Sequence, residues 1–206
     1  MADSSGDRAG PPADTEIRDE DWDGREVSGL SYSNVVFVDV DLTEVTNDGS
    51  IFSECTFRRV QFNASSHTNS AFLNCTFSRC SFFGATFTGC KLVGTTFDRC
   101  TFSTLKVDGG DWSFVGLRGA DLRGTSFRGV RMREADLTNV RAEGATLRDI
   151  DLTRASLHSA NLSDCDLRGS NLSTLDPATV ELKNAVIGWE QAVALVTSLG
   201  LDVRPD

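Results

Sequence analysis

The side chains able to do chemistry in this 206-residue chain are six cysteines, two histidines and several closely spaced carboxylates. Six cysteines raise the prospect of disulfides or a zinc site. Cys55, Cys75, Cys80, Cys90, Cys100 and Cys165 are separated only by multiples of five, so no pair has the CxxC spacing of a zinc knuckle. His67 and His158 are too scattered to complete a Cys/His set. The thiols read as free, small, buried fillers, which belong in a reducing compartment. Ser156 and His158 share one short stretch, with no third group placed to orient a nucleophile and its base. Asp149 with Asp151 and Asp164 with Asp166 are paired carboxylates without an apolar cleft to shift a pKa. The glycine-rich GLRGADLRGTSFRG, residues 116–129, lacks the GxxxxGK[ST] pattern of a phosphate cradle. The chain therefore reads as non-enzymatic, with no catalytic residue, cofactor or metal.

What positions these residues is a period of five. In SFFGATFTGCKLVGTTFDRCTF, residues 81–102, the bulky residues Phe82, Phe87, Leu92, Phe97 and Phe102 are each five apart. The same phase runs from Phe37 to Leu172 through Leu122, Leu137, Leu152 and Leu162, and of its twenty-eight positions eleven are Phe and eleven Leu. Only Asn47, His67 and Ala142 depart from large apolar residues; a coil of twenty residues would stack Asn47 on His67 as a satisfied buried pair. Two residues before each bulky position stands a small one, and all six cysteines occupy that phase. Side chains two apart on an extended backbone share a face. Neither a helix nor a strand repeats every five residues, so the chain must turn a corner between units. Gly84, Gly89, Gly94 and their equivalents fall two places after the bulky residue, where a tight or left-handed turn is needed. Short extended pieces joined by such turns wind into a solenoid, each coil burying its apolar residues on the next.

Units such as ADLRG (Ala120 to Gly124), ANLSD (Ala160 to Asp164), CDLRG (Cys165 to Gly169) and CTFSR (Cys75 to Arg79) resemble the repeat of pentapeptide-repeat proteins. The resemblance implies an all-β solenoid, a right-handed quadrilateral parallel β-helix with four pentapeptides per coil. The stretch from Phe37 to Leu172 would make seven coils, about 34 Å tall at the spacing of neighbouring strands.

The two ends read differently. Residues 1–26 form an acidic, partly disordered N-terminal segment; its first fifteen or so residues are expected to be disordered, and Trp22 and Val27 fall in phase as an imperfect first coil. Residues 27–187 form the β-helix, and residues 188–206 a helix and tail. In WEQAVALVTSLG the residues Trp189, Ala192, Val193, Val196 and Leu199 recur at helical spacing, so a C-terminal α-helix caps the last coil. Ala194 and Leu195 face away from that stripe, which would leave apolar surface in water and makes the helix a homodimerisation module. Outward positions also carry an apolar strip, Ile51, Leu73, Val93 and Phe114 on one side and Phe83 on the next. Packing by the N-terminal segment is the favoured cover, partner contact the alternative.

The ending IGWEQAVALVTSLGLDVRP (Ile187 to Pro205) and the Gly109-Gly110 interruption are similar to the fluoroquinolone-resistance branch of the family, the MfpA/Qnr type. That resemblance implies an end-to-end homodimer resembling duplex DNA in size and charge, acting on DNA gyrase, a type II topoisomerase, and conferring quinolone or topoisomerase-poison resistance. Which residues would contact gyrase is unknown. The unbroken register leaves no room for projecting loops of the Qnr kind, so activities resting on such loops do not carry over. A structural or adaptor repeat protein with another partner is the alternative.

Charge bears on this from a different direction. A net charge of −10 excludes nucleic-acid binding by a broadly basic surface and favours basic partners. Residues 1–30 hold nine acids and three bases, and Arg118, Arg123, Arg128 and Arg133 form a basic belt round one coil. No signal peptide or membrane-spanning run is evident, so the expected location is cytoplasmic.

Overall fold

The computed structural model describes residues 15–204. Fifteen strands of three residues each, from β1 (Glu16–Arg18) to β15 (Thr146–Arg148), precede one helix, α1 (Trp189–Ser198). Every paired strand is parallel and offset by twenty residues, as in Val36↔Thr56, Thr76↔Thr96 and Thr86↔Lys106. Four pentapeptides thus make one coil, and the bulky residues line four sides in turn. The first side carries Phe37, Phe57, Phe77 and Phe97; the second Phe62, Phe82, Phe102 and Leu122; the third Asn47, His67, Phe87 and Val107; the fourth Phe52, Phe72, Leu92 and Trp112. Phe82, Phe87 and Leu92, on successive sides of one coil, are all buried.

Each side holds its neighbours through the backbone. The N–H of Ser81 donates down to the Val60 carbonyl (3.1 Å), and the N–H of Phe82 donates up to that of Thr101 (2.9 Å). Side chains stack in step with these bonds. Phe37, Phe57, Phe77 and Phe97 form one column of near-parallel rings with centroids 4.8, 4.7 and 5.0 Å apart. At about 1.5–3 kcal/mol for each large side chain buried, such columns supply most of the gross stabilisation.

The corner lies where the glycines indicated it. Two residues after the central residue φ is positive in all coils but the last, where Thr174 departs, and at twenty such corners the residue is not glycine. Corner strain of about 1 kcal/mol is thus accepted repeatedly, even by Phe114 (φ 59°) and the β-branched Thr104 (φ 58°). Gly110 is a different case. It occupies the small inward phase rather than a corner, has φ +94°, and lies so close to the coil below that a β-carbon there would be 2.9 Å from the Cys90 nitrogen, 3.0 Å from its carbonyl carbon and closer still to its oxygen.

The solenoid is longer than the sequence pattern indicated. Glu16–Arg18 pairs with Val36–Val38, Trp22 is buried, and Ile17 packs on the core, so the first coil begins eleven residues before position 27. The expected disorder of the first residues lies outside the described residues. From residue 15 onward the N-terminal segment is rod, not a cover for the apolar strip, and Ile51, Phe83 and Phe114 stay 46, 58 and 54% exposed; a cover made by earlier residues lies outside those described. At the other end the coil runs on through the bridge Asp166↔Val186.

Candidate functional site

A rod without a cleft offers its ends, its surface charge and its few interior polar groups. At the C-terminal end α1 lies on the last coil, held mainly by Gln191. Its amide Nε2 donates to the carbonyls of Ser170 (2.8 Å) and Leu167 (2.7 Å), the latter also accepting the N–H of Ser170 (3.1 Å), and its Oε1 accepts the Gly188 N–H at the start of the helix (2.6 Å). Sequence reasoning missed this residue; the available signal was a Gln three places after Gly188, the reach-back half of a capping box. Replacing Gln191 with Ala should destabilise the last coil by about 1–3 kcal/mol, because the Ser170 carbonyl loses its donor and the Leu167 carbonyl one of two. Faster amide exchange confined to residues 165–200 would show it, and unchanged exchange there would contradict the anchoring role.

The exposure of α1 corrects the expected facing. Leu195, read as facing away, is the helix residue packed against the core. Trp189 is 80% and Leu199 62% exposed, while Ala192, Val193 and Val196 are half-buried. With Leu201 and Val203 also exposed, the end of the rod is an apolar face.

The opposite end is acidic. Residues 15–54, the first two coils, carry eleven acids and two bases, whereas residues 55–176 carry twelve acids and fifteen bases. Charge that had been counted as a tail is therefore rod surface. Beyond these coils acids and bases form axial pairs: Asp121 lies between Arg123 (2.6 Å) and Arg141 (2.9 Å), and Asp166 between Arg168 (2.7 Å) and Arg148 (3.9 Å). The hydrogen-bonded Arg168 guanidinium holds the Asp166 carboxyl down at about 2. In the basic belt Arg123 and Arg133 are paired, Arg133 with Asp151 at 2.5 Å, and Arg118 and Arg128 pair with no carboxylate among the described residues.

Inside the column Asn47 and His67 meet as their spacing indicated, with Asn47 Nδ2 3.1 Å from His67 Nδ1. Ser65 Oγ donates to the Phe62 carbonyl (2.7 Å) and lies 3.0 Å from His67 Nε2. That leaves Nε2–H to donate to Ser65 and Nδ1 to accept from Asn47, which is the neutral ring. Burial alone pushes His67 down to about 3, and Asn47 Oδ1 has no partner. All six cysteines are free and only Cys100 is more than slightly exposed. Among the described residues no three His, Cys, Asp or Glu side chains converge as metal ligands, and no helix is long and apolar enough to cross a membrane.

A four-sided rod of five-residue units, capped by a helix, defines a class of protein. The chain carries pentapeptide repeats: the pentapeptide-repeat model matches in eight copies, over residues 68–99, 117–153 and 135–173. Its fold is similar to that of QnrB1, a plasmid-mediated fluoroquinolone resistance protein, with a TM-score of 0.59 and 20% identity over 91% of this chain and 98% of that one. A trypsin-treated variant of QnrB1 gives 0.54, also at 20% identity, over 92% and 98% of the two chains. HetL, a pentapeptide-repeat protein involved in heterocyst differentiation regulation in the cyanobacterium Nostoc, matches over 83% and 84% of the two chains, with 17% identity and a TM-score of 0.35. No curated protein matches the chain in sequence.

Proposed function

We propose that this chain is a DNA-mimicking rod that binds DNA gyrase in the cytoplasm, modulates its activity and thereby confers resistance to quinolones or other topoisomerase poisons. The observation that carries this reading is the division of the surface along the axis. Eleven acids against two bases occupy residues 15–54 at one end, and exposed Trp189 and Leu199 mark the other. A homodimer joined through Trp189, Ala192, Val193, Val196 and Leu199 would cover the apolar face and place an acidic end at each tip of a doubled rod. A channel built to hold duplex DNA is basic and attracts such a surface. The fold likeness to QnrB1 supports the same reading.

Purified gyrase assayed for supercoiling, with and without a quinolone, tests it. Inhibition without drug, or protection with it, is the expected result. The Trp189→Lys variant should sediment as a monomer and lose most of the effect. Indifference of gyrase in both arms would overturn the reading in favour of an adaptor with a different partner.

A further inference from the structure

The hydrogen-bond ladder of the second side has one gap. Its bridges run from Asp21 to Thr101 and again from Asp121 to Glu181, and none joins Thr101 to Asp121. Where Phe82 donates to Thr101 (2.9 Å) and Leu122 to Arg141 (2.7 Å), Phe102 has no bond to the carbonyl of Asp121. The N–H groups of Arg99, Thr104 and Asp121 likewise lack the carbonyls of Arg118, Arg123 and Cys100 that the repeat would supply. Yet the same two coils remain bonded on the other sides, through Phe97 to Gly116 (2.9 Å), Lys106↔Ser126, and Trp112 to Arg131 (2.7 Å). The opening begins after Phe97 and closes where Ser126 donates to Leu105 (2.9 Å).

Trp112 accounts for it. Trp112 sits on the fourth side, opposite the gap, in a place that Leu92 and Met132 fill in the adjoining coils. Its ring spreads towards both adjacent sides, 5.8 Å from Phe87 and 5.5 Å from Phe127 on the third and 6.2 Å from Phe97 on the first, measured between centroids. A side chain too large for one layer holds the far side of that layer open. Phe97, Cys100 and Ala120 are accordingly half-buried, whereas Phe77, Cys80 and Val140 one coil away are buried.

Two adjoining clefts of about 290 and 320 Å³ result, sharing Cys100, Thr101, Phe102 and Asp121 in their walls. Their mouths are basic. Among the described residues Arg118 has no carboxylate partner, Arg99 has only the adjacent Asp98 at 3.8 Å, and Arg123 and Arg141 share the single Asp121.

We propose that this opening is a docking site for an acidic, extended segment of a partner protein. Its main chain would pair with the freed N–H and C=O groups on the two lips, and its carboxylates would meet Arg118 and Arg99. The freed carbonyls distinguish this occupant from a phosphate backbone, because they need N–H donors that a peptide main chain supplies and a sugar-phosphate backbone does not. The site is independent of any contact with gyrase.

The test uses the full chain, hexaglutamate and hexalysine peptides, and amide exchange resolved by residue. In the free protein the amides of Phe102, Thr104 and Asp121 should exchange far faster than those of Phe82, Gly84 and Gln61. Saturating hexaglutamate should slow them at least tenfold, and hexalysine should not. Arg118→Glu should weaken hexaglutamate binding by about tenfold or more. Trp112→Leu should let the ladder close, so that the same amides become protected without peptide and binding is lost. Should that variant not fold, Arg118→Glu decides alone. Protected amides in the free wild type, or hexaglutamate binding that Arg118→Glu leaves unchanged, would overturn the proposal.

Discussion

Replacing Gly110 with alanine is expected to destabilise the rod by about 3–5 kcal/mol, near the top of the range for a single substitution. Two effects add. The residue has φ +94°, outside what an L side chain adopts comfortably, and the new methyl would meet the backbone of Cys90, including a nitrogen only 2.9 Å from its position. Backbone cannot swing aside as the end of a long side chain can, so two coils must part. Gly109, one residue earlier, is the internal control. Its φ is +65° and nothing lies within 4 Å of an added β-carbon. Gly109→Ala should therefore cost only about 1 kcal/mol, like the twenty corners that already lack glycine. Urea denaturation of the two variants decides it, and equal midpoints would show that the contact with Cys90 is not limiting.

The second large effect is in acid. His67 is wholly buried and neutral, with its folded pKa near 3 against an unfolded value of about 6.5. A depressed histidine pKa contributes stability that is fully present above the unfolded value and is lost as pH falls from there towards the folded one, because the unfolded chain takes up a proton that the fold refuses. The slope is about 1.4 kcal/mol per pH unit, so roughly 3 kcal/mol should be gone by pH 4. Changing Asn47 to Val and His67 to Phe together should remove this component. Phe at 67 would continue the stack, since the His67 ring already lies 4.7 Å from that of Phe87. Losing both partners also disposes of the unsatisfied Asn47 Oδ1, so at pH 8 the double variant should be as stable as the wild type or more so, by up to about 2 kcal/mol. Denaturation midpoints from pH 8 to pH 4 measure the difference between the two proteins, which cancels the carboxylates they share. Parallel curves would rule out His67 as the acid-sensitive group.

These two cases show what a period of five makes legible. Spacing put a corner between Phe82, Phe87 and Leu92 and assigned it to Gly84 and its equivalents, and with the four units per coil that the family resemblance implies it brought Asn47 over His67, because in a solenoid a fixed sequence offset is a fixed position in space. Where the rod starts was harder to see. Ile17 and Trp22 keep the phase, but their outward neighbours Glu16, Asp19, Glu20, Asp21 and Asp23 give the stretch the composition of a tail. For the same reason the acidic end was hidden: counting charge to residue 30 cut across the first coil, and only coil boundaries reveal residues 15–54 as one surface. The facing of α1 was not encoded in its apolar stripe at all, since Gln191 reaches two carbonyls of the coil beneath and so turns Leu195 inward. The gap opposite Trp112 is a property of backbone bonds, which residue types do not report.

That gap gives an otherwise uniform column a mechanical character. All inter-coil hydrogen bonds run along the long axis, so tension applied between the two tips passes through every layer in series, and the strength of the whole is that of its poorest joint. The poorest joints are the layer opened between Thr101 and Asp121 and the last coil, where Leu152 and Leu157 lack the bonds to Asn171 and Asp176, and a pulled molecule would part at one of them.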